Sequence, residues 1–107
     1  MMISRTNPRS VPAPIGDYAH LTVVPTGADL LVLAGQVAIL ASENVDVEHV
    51  IKVNLWFTSP IDRALFQKIW RQFHQGSPPA TTLAYVSALA QPHIQVEVEV
   101  WAARYPA

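Results

Sequence analysis

The sequence predicts an α+β domain, a mostly antiparallel sheet covered on one face by a helix. Three observations predict it. Two segments, VIKVNLWFT at 50–58 and QVEVEVWAAR at 95–104, alternate with the period of a strand. Between them, residues 59–75 repeat apolar side chains every four positions and carry helix start and stop signals. The full order along the chain reads strand, strand, strand, helix, strand, strand. At 107 residues, half of them apolar, the chain suits one domain, 1–107, with enough apolar material for a core. A domain of this size still leaves apolar surface uncovered, and oligomerisation is a common way to bury it.

The first element is an irregular one. Pro8, Pro12 and Pro14 favour extended backbone without ladder hydrogen bonds, so 1–13 is expected to be an irregular N-terminal segment. Tyr18–Val24 reads as a short strand, closed by the turn Pro25-Thr26-Gly27-Ala28-Asp29. LLVLAGQVAI follows as a buried strand, with Gly35 marking a bulge or a close backbone approach. Asn44–His49 is polar and suits one helical turn. In Val50–Thr58, Val53, Leu55 and Phe57 alternate with Lys52, Asn54 and Trp56, which predicts a strand.

The helix is expected to begin at Ser59. Serine is a favoured N-cap, Pro60 fits the first helical position, and Asp62 gives a capping-box-like spacing. Ile61, Leu65, Ile69 and Phe73 form its apolar stripe, widened by Ala64, Phe66 and Trp70. Gly76 stops it. Thr82–Val86 and Gln95–Arg104 are the last strands. In the second of these, Val96, Val98 and Val100 share one face, while Glu97, Glu99 and Trp101 share the other.

Composition excludes several kinds of function. There are no cysteines, so disulfide frameworks, thiolate zinc sites and cysteine nucleophiles are out. Seven basic against eight acidic residues give a net charge of −1, and no basic run offers the footprint of a nucleic-acid binder. The opening MMISRTNPRSVPAPIG has no apolar core of signal-peptide length, and no apolar run approaches a membrane span. A cytoplasmic protein without membrane partners is expected.

Site motifs are few. His20, His49, His74 and His93 are scattered without ligand spacing, so no metal site is expected. There is no GxSxG, P-loop or GxGxxG, and no cofactor is implied. Trp56, Trp70 and Trp101 belong to separate elements and suit a core or an interface. Glu97 and Glu99 lie two apart on one strand face, and neighbouring carboxylates can be driven toward acid and base roles. By itself, an alternating VEVEV strand only turns a polar face to water.

Set in order, these pieces resemble the RidA (YjgF) family of small trimeric proteins from about Pro14 to Ala103. PIGDYAH is similar to the family's early I-G-P-Y segment, and LLVLAGQV to its strand ending in S-G-Q. DVEHVIKVNLWFTS resembles the segment D-V-V-K-x-x-V-F-L. SPPATTLAYV resembles P-A-R-[ST]-T-V-x-V, and IQVEVEVWA resembles the closing I-E-I-E-A strand.

The resemblance implies a chorismate-mutase-like fold and a homotrimer with small-molecule clefts between subunits. It also implies hydrolysis of enamine or imine intermediates such as 2-aminoacrylate to 2-oxo acids and ammonia. In such proteins an arginine grips the substrate carboxylate, and a glutamate and a tyrosine place and activate water. Residue by residue, the catalytic pair carries over to Glu97 and Tyr18, and the substrate-binding positions to Gly35, Ala80 and Thr81. Two departures follow. Ala80 stands where the family has its arginine, and Ala34 where it has a serine. A lost charge-assisted contact costs about 1.5–3 kcal/mol per hydrogen bond, so ordinary 2-aminoacrylate chemistry is disfavoured. The family's first helix is also missing or very short, since only 39–49 separate the third and fourth strands, where a parallel crossover takes a dozen residues or more.

Three functions therefore compete. The first is a deaminase-type hydrolase acting on C=N or enamine groups with an altered substrate range. The second is a non-catalytic metabolite-binding or structural trimer. The third, RNA cleavage or translation inhibition, is opposed by the acidic balance.

Overall fold

A computed structural model describes residues 3–11, 13, 18–33 and 45–105. Six strands are present in it: β1 Ser4–Thr6, β2 Leu21–Val23, β3 Asp29–Leu33, β4 Val50–Phe57, β5 Ala80–Tyr85 and β6 Val96–Arg104. One helix, α1, spans Arg63–His74, and a single 3-10 turn covers Val47–His49. The main sheet has the order β3-β6-β4-β5, and β1 and β2 form a separate two-stranded ribbon. β6 lies antiparallel between β3 and β4, whereas β4 and β5 are parallel and joined through α1. The result is a mixed, mostly antiparallel sheet. No helix among the described residues is long and apolar enough to cross a membrane.

The core lies between α1 and one sheet face. Val45, Val50, Val53, Leu55, Trp70, Val100 and Ala102 are buried there, with Leu31, Phe57, Phe66, Phe73 and Val98 packed against them. Each large side chain withdrawn from water contributes about 1.5–3 kcal/mol. A register shift between Val50 and Lys52 leaves Ile51 as the extra residue of a bulge. It lets Val50 and Val53, three positions apart, both reach the core, which strict alternation forbids.

Several expectations are corrected. Within the irregular N-terminal segment 1–13, Ser4–Thr6 is a strand paired with Leu21–Val23. Arg5 holds it in place. Its guanidinium donates to the carbonyls of Val50 (2.6 Å), Val47 (3.0 Å) and Glu48 (3.2 Å), and to Ser77 Oγ. The strand expected over Tyr18–Val24 is divided into an isolated bridge at Ala19 and the short β2.

The helix expected over 59–75 runs over 63–74, and its N-cap is Asp62, not Ser59. Asp62 Oδ1 accepts from the Leu65 N–H at 3.1 Å. The Thr58 N–H donates to the Gln95 carbonyl at 3.1 Å, and the chain bends at Thr58 and Ser59 before the helix begins. At the far end Gln75 and Gly76 are both left-handed, with φ of 52° and 83°.

The buried stripe is also rotated. Phe66, Trp70 and Phe73 face the sheet as a stack, with ring centroids 6.0 and 5.3 Å apart. Leu65 and Ile69 are each 55% exposed. The apolar stripe is wider than the surface offered to it, and the aromatic rings, which bury the most area, take that surface. Residues 34–44 lie outside the described residues, and with them most of the shortened crossover, Ala34 and Gly35. The described part of that connection holds the 3-10 turn, closed by the Asp46 N–H donating to His49 Nδ1 at 3.2 Å.

Candidate functional site

The sheet face turned away from α1 carries the polar side chains of β4, β5 and β6. Register partners on adjacent strands share a face, so this surface can be read rung by rung. Lys52 lies between Ala80 and Trp101, Asn54 between Thr82 and Glu99, and Trp56 between Ala84 and Glu97. Val32 on β3 continues the first rung beyond Trp101 and is 56% exposed.

The middle rung is tied together. Asn54 Nδ2 donates to Glu99 Oε1 at 3.0 Å, and Trp101 Nε1 donates to the same oxygen at 2.8 Å. The bond from Trp101, then that from Asn54, hold the Glu99 carboxyl below the ordinary carboxylate range against the opposing effect of burial. Lys52 Nζ donates to Thr82 Oγ1 at 2.7 Å. Partial burial pulls the Lys52 ammonium below its usual value.

Glu97 occupies the last rung and is exposed. No side chain among the described residues hydrogen-bonds to it. It borders a recess of about 570 Å³ lined by Trp56, Val86, Leu89, Val98 and Glu99 among others. Of two neighbouring carboxylates, one is engaged twice by its surroundings and the other is available.

Tyr18 is elsewhere. The Ala19 N–H donates to the Pro79 carbonyl at 3.2 Å, and Ala19 bridges Ala80, so the 18–20 segment runs along the outer edge of β5. The Tyr18 ring meets His20 edge to face at 5.6 Å. It borders a second groove, of about 560 Å³, with Arg63, Phe66, Trp70 and Thr81. The Thr81 hydroxyl donates to the Pro79 carbonyl at 2.9 Å and is used within its own turn.

Of the predicted site residues, the structure brings Tyr18, Ala80 and Thr81 together at the β5 edge and puts Glu97 at the opposite corner. Ala80 and Glu97 share the open face but stand two rungs and two strands apart, on the order of 15 Å from the spacing of strands. Gly35 lies outside the described residues. Reading the sequence alone does not find Asn54, Lys52 and Trp101 as site residues, because their association with Glu99 and Ala80 depends on the pairing of distant strands. Among the described residues no three His, Cys, Asp or Glu side chains gather as a metal site.

Comparison with known proteins agrees with this architecture. The family model described as endoribonuclease L-PSP matches residues 37–104, more than half of the chain. YyfB of Yersinia pestis, a protein of unknown function from the conserved Rid family, is similar with a TM-score of 0.73 at 16% identity, over 97% of this chain and 100% of that one. The Escherichia coli YjgF gene product gives 0.61 at 21% identity, over 94% and 99%. Escherichia coli TdcF, solved with bound serine, gives 0.61 at 21%, over 94% and 98%. At such identities the structural likeness establishes the fold alone. No curated protein sequence matches the chain. The match over 37–104 and the shared fold lead to the same place: the chain belongs to the endoribonuclease L-PSP family, the Rid/YjgF group.

Proposed function

We propose that the protein is a deaminase-type hydrolase of enamine or imine intermediates, working in the cytoplasm as a homotrimer. Its clefts are completed between copies, and its substrate range is altered by Ala80. The observation that carries the reading is the division of labour between the two carboxylates. Glu99 is spent on Asn54 and Trp101, while Glu97 stands free of such partners over a recess large enough for a small metabolite.

The chemistry asked of Glu97 is proton transfer. Water adds through its oxygen to the carbon of the C=N bond, and Glu97 takes one water proton. Glu97 returns that proton to the nitrogen as the carbinolamine forms; the carbinolamine hydroxyl proton then passes to the nitrogen as the C–N bond breaks, so both water protons leave with ammonia and a C=O group stays behind. A positioned general base contributes about 10²–10⁴ in rate. Tyr18 can place the water or the nitrogen only from another copy or around the β5 edge, since it borders the other groove. The separation of Ala80 and Glu97 likewise supports a cleft built from two chains. Leu30 and Val32, 58% and 56% exposed beside the site face, supply apolar area for such an interface.

That same separation of Tyr18 from Glu97 favours a second reading, a trimer that binds a metabolite without turning it over. Ribonucleolysis, which the name of the family model suggests, is opposed by the net charge of −1. The deciding experiment measures ammonia and 2-oxo acid release from freshly generated imines by the unmodified protein and by Glu97→Gln. Turnover that is lost in the variant supports the hydrolase. Saturable binding without product assigns the protein to the second reading.

A further inference from the structure

The recess beside Glu97 carries charge of one sign. Glu97 and Glu99 both line it, and no arginine or lysine does, although all seven in the chain lie among the described residues. Lys52, on the same sheet face, reaches away from β6 to Thr82 Oγ1 on β5 at 2.7 Å. The two donors to Glu99 are an amide and an indole, both neutral. They hold its carboxyl ionised, below the ordinary range, without cancelling its charge. The rest of the wall is apolar, with Val32, Val86, Leu89 and Trp56. Trp56 is half-buried and is the register partner of Glu97 on the adjacent strand. Side chains so paired stand about 5 Å apart at Cβ, so a cation held by the Glu97 carboxylate lies within reach of the indole, the strongest aromatic partner for a positive charge.

We infer that this recess selects a small organic cation, an iminium or ammonium group on an apolar body, and that its substrates carry no carboxylate. The inference rests on the reading of Glu97 as the base of an imine hydrolase and narrows the substrate class of that site. Two carboxylates over an apolar wall attract a cationic ligand and repel an anionic one, and the low polarity of the wall strengthens both effects. The apolar body of the ligand is matched by Val32, Val86 and Leu89. An iminium ion is also the more electrophilic form of a C=N group. With one water it gives a carbonyl compound and an ammonium ion, both water protons leaving on the nitrogen.

The test measures three probes of similar size on the full chain by titration calorimetry: 3-methylbutylammonium, 3-methylbutan-1-ol and 3-methylbutanoate. The ammonium should bind most tightly and the carboxylate least. Glu97→Gln should weaken ammonium binding about tenfold and move the alcohol little. Glu97→Lys should reverse the order, so that the carboxylate binds more tightly than the ammonium. Glu97 is exposed, and thermal melting of both variants checks that the sheet is intact. An unmodified protein that binds the carboxylate as tightly as the ammonium overturns the inference, as does ammonium binding untouched in both variants. Ammonia release from imines of simple ketones and of 2-oxo acids is followed in parallel. Ammonium-selective binding with release from neither imine leaves the cation site standing and removes the hydrolase reading. Release confined to imines of 2-oxo acids, and lost in Glu97→Gln, keeps the hydrolase and overturns the cation site.

Discussion

Asn54 on β4 donates to Glu99 on β6 at 3.0 Å, and Trp101 meets the same oxygen at 2.8 Å. This pair of bonds engages one carboxylate of the VEVEV strand, while no side chain among the described residues hydrogen-bonds to the other, Glu97.

The first prediction concerns acid. The folded Glu99 carboxyl is lowered, by Trp101 first and Asn54 second, so the unfolded chain binds its proton at a higher pH than the folded one. Its stabilisation is complete above the ordinary value of 4.5 and is lost as pH falls through the lower folded value. Urea midpoints measured downward from neutral pH should drop across that window, and Glu99→Gln should flatten this part of the profile.

Glu97→Gln is expected to behave differently. It removes the proposed base without touching a side-chain hydrogen bond among the described residues, so melting should be unchanged while ammonia release falls about 10²–10⁴-fold. Parallel loss of stability would show that Glu97 has a structural role.

The helix start gives a third prediction. Asp62→Ala should cost about 1 kcal/mol through the lost cap on the Leu65 N–H. Ser59→Ala should stay within about 0.5 kcal/mol, as a surface change away from the cap. Denaturant unfolding of the two variants separates the sequence-expected cap from the observed one.

Arg5 is the fourth. It joins β1 to the carbonyls of Val47, Glu48 and Val50 and to Ser77. Arg5→Met should destabilise the domain by about 2 kcal/mol or more, given the worth of charged hydrogen bonds at a half-buried position. Arg5→Lys should recover only part of this, since an ammonium cannot fork between carbonyls as a guanidinium does. Protease sensitivity of the first residues provides a second measure.

How far the site could be read from sequence differs by residue. Glu97 and Glu99 were legible as neighbours on one strand face because strand period is local. That Glu99 would be the engaged one was not, because Asn54 lies 45 residues away. Lys52 carried no local signal either, since its bond to Thr82 crosses to the next strand. Tyr18 and Thr81 emerged from the family resemblance, and the structure places them at the β5 edge facing a groove separate from the Glu97 recess.

The sequence by itself determined the element types: the alternation of 50–57 and 96–104, the helical repeat of 63–74 and the left-handed stop at Gly76 are all short-range properties of backbone and side-chain geometry. Tertiary structure decided the rest. It chose Asp62 over Ser59: the chain bends at Thr58 and Ser59, with the Thr58 N–H bonded to Gln95, and it is Asp62 that accepts from the Leu65 N–H. It turned Phe66, Trp70 and Phe73 inward rather than Leu65 and Ile69, because the sheet offers room for only one side of the stripe. It set Lys52 beside Ala80 and Asn54 beside Glu99 because strand register is fixed by which side chains the whole core can bury together, and a local stretch of chain does not contain that information.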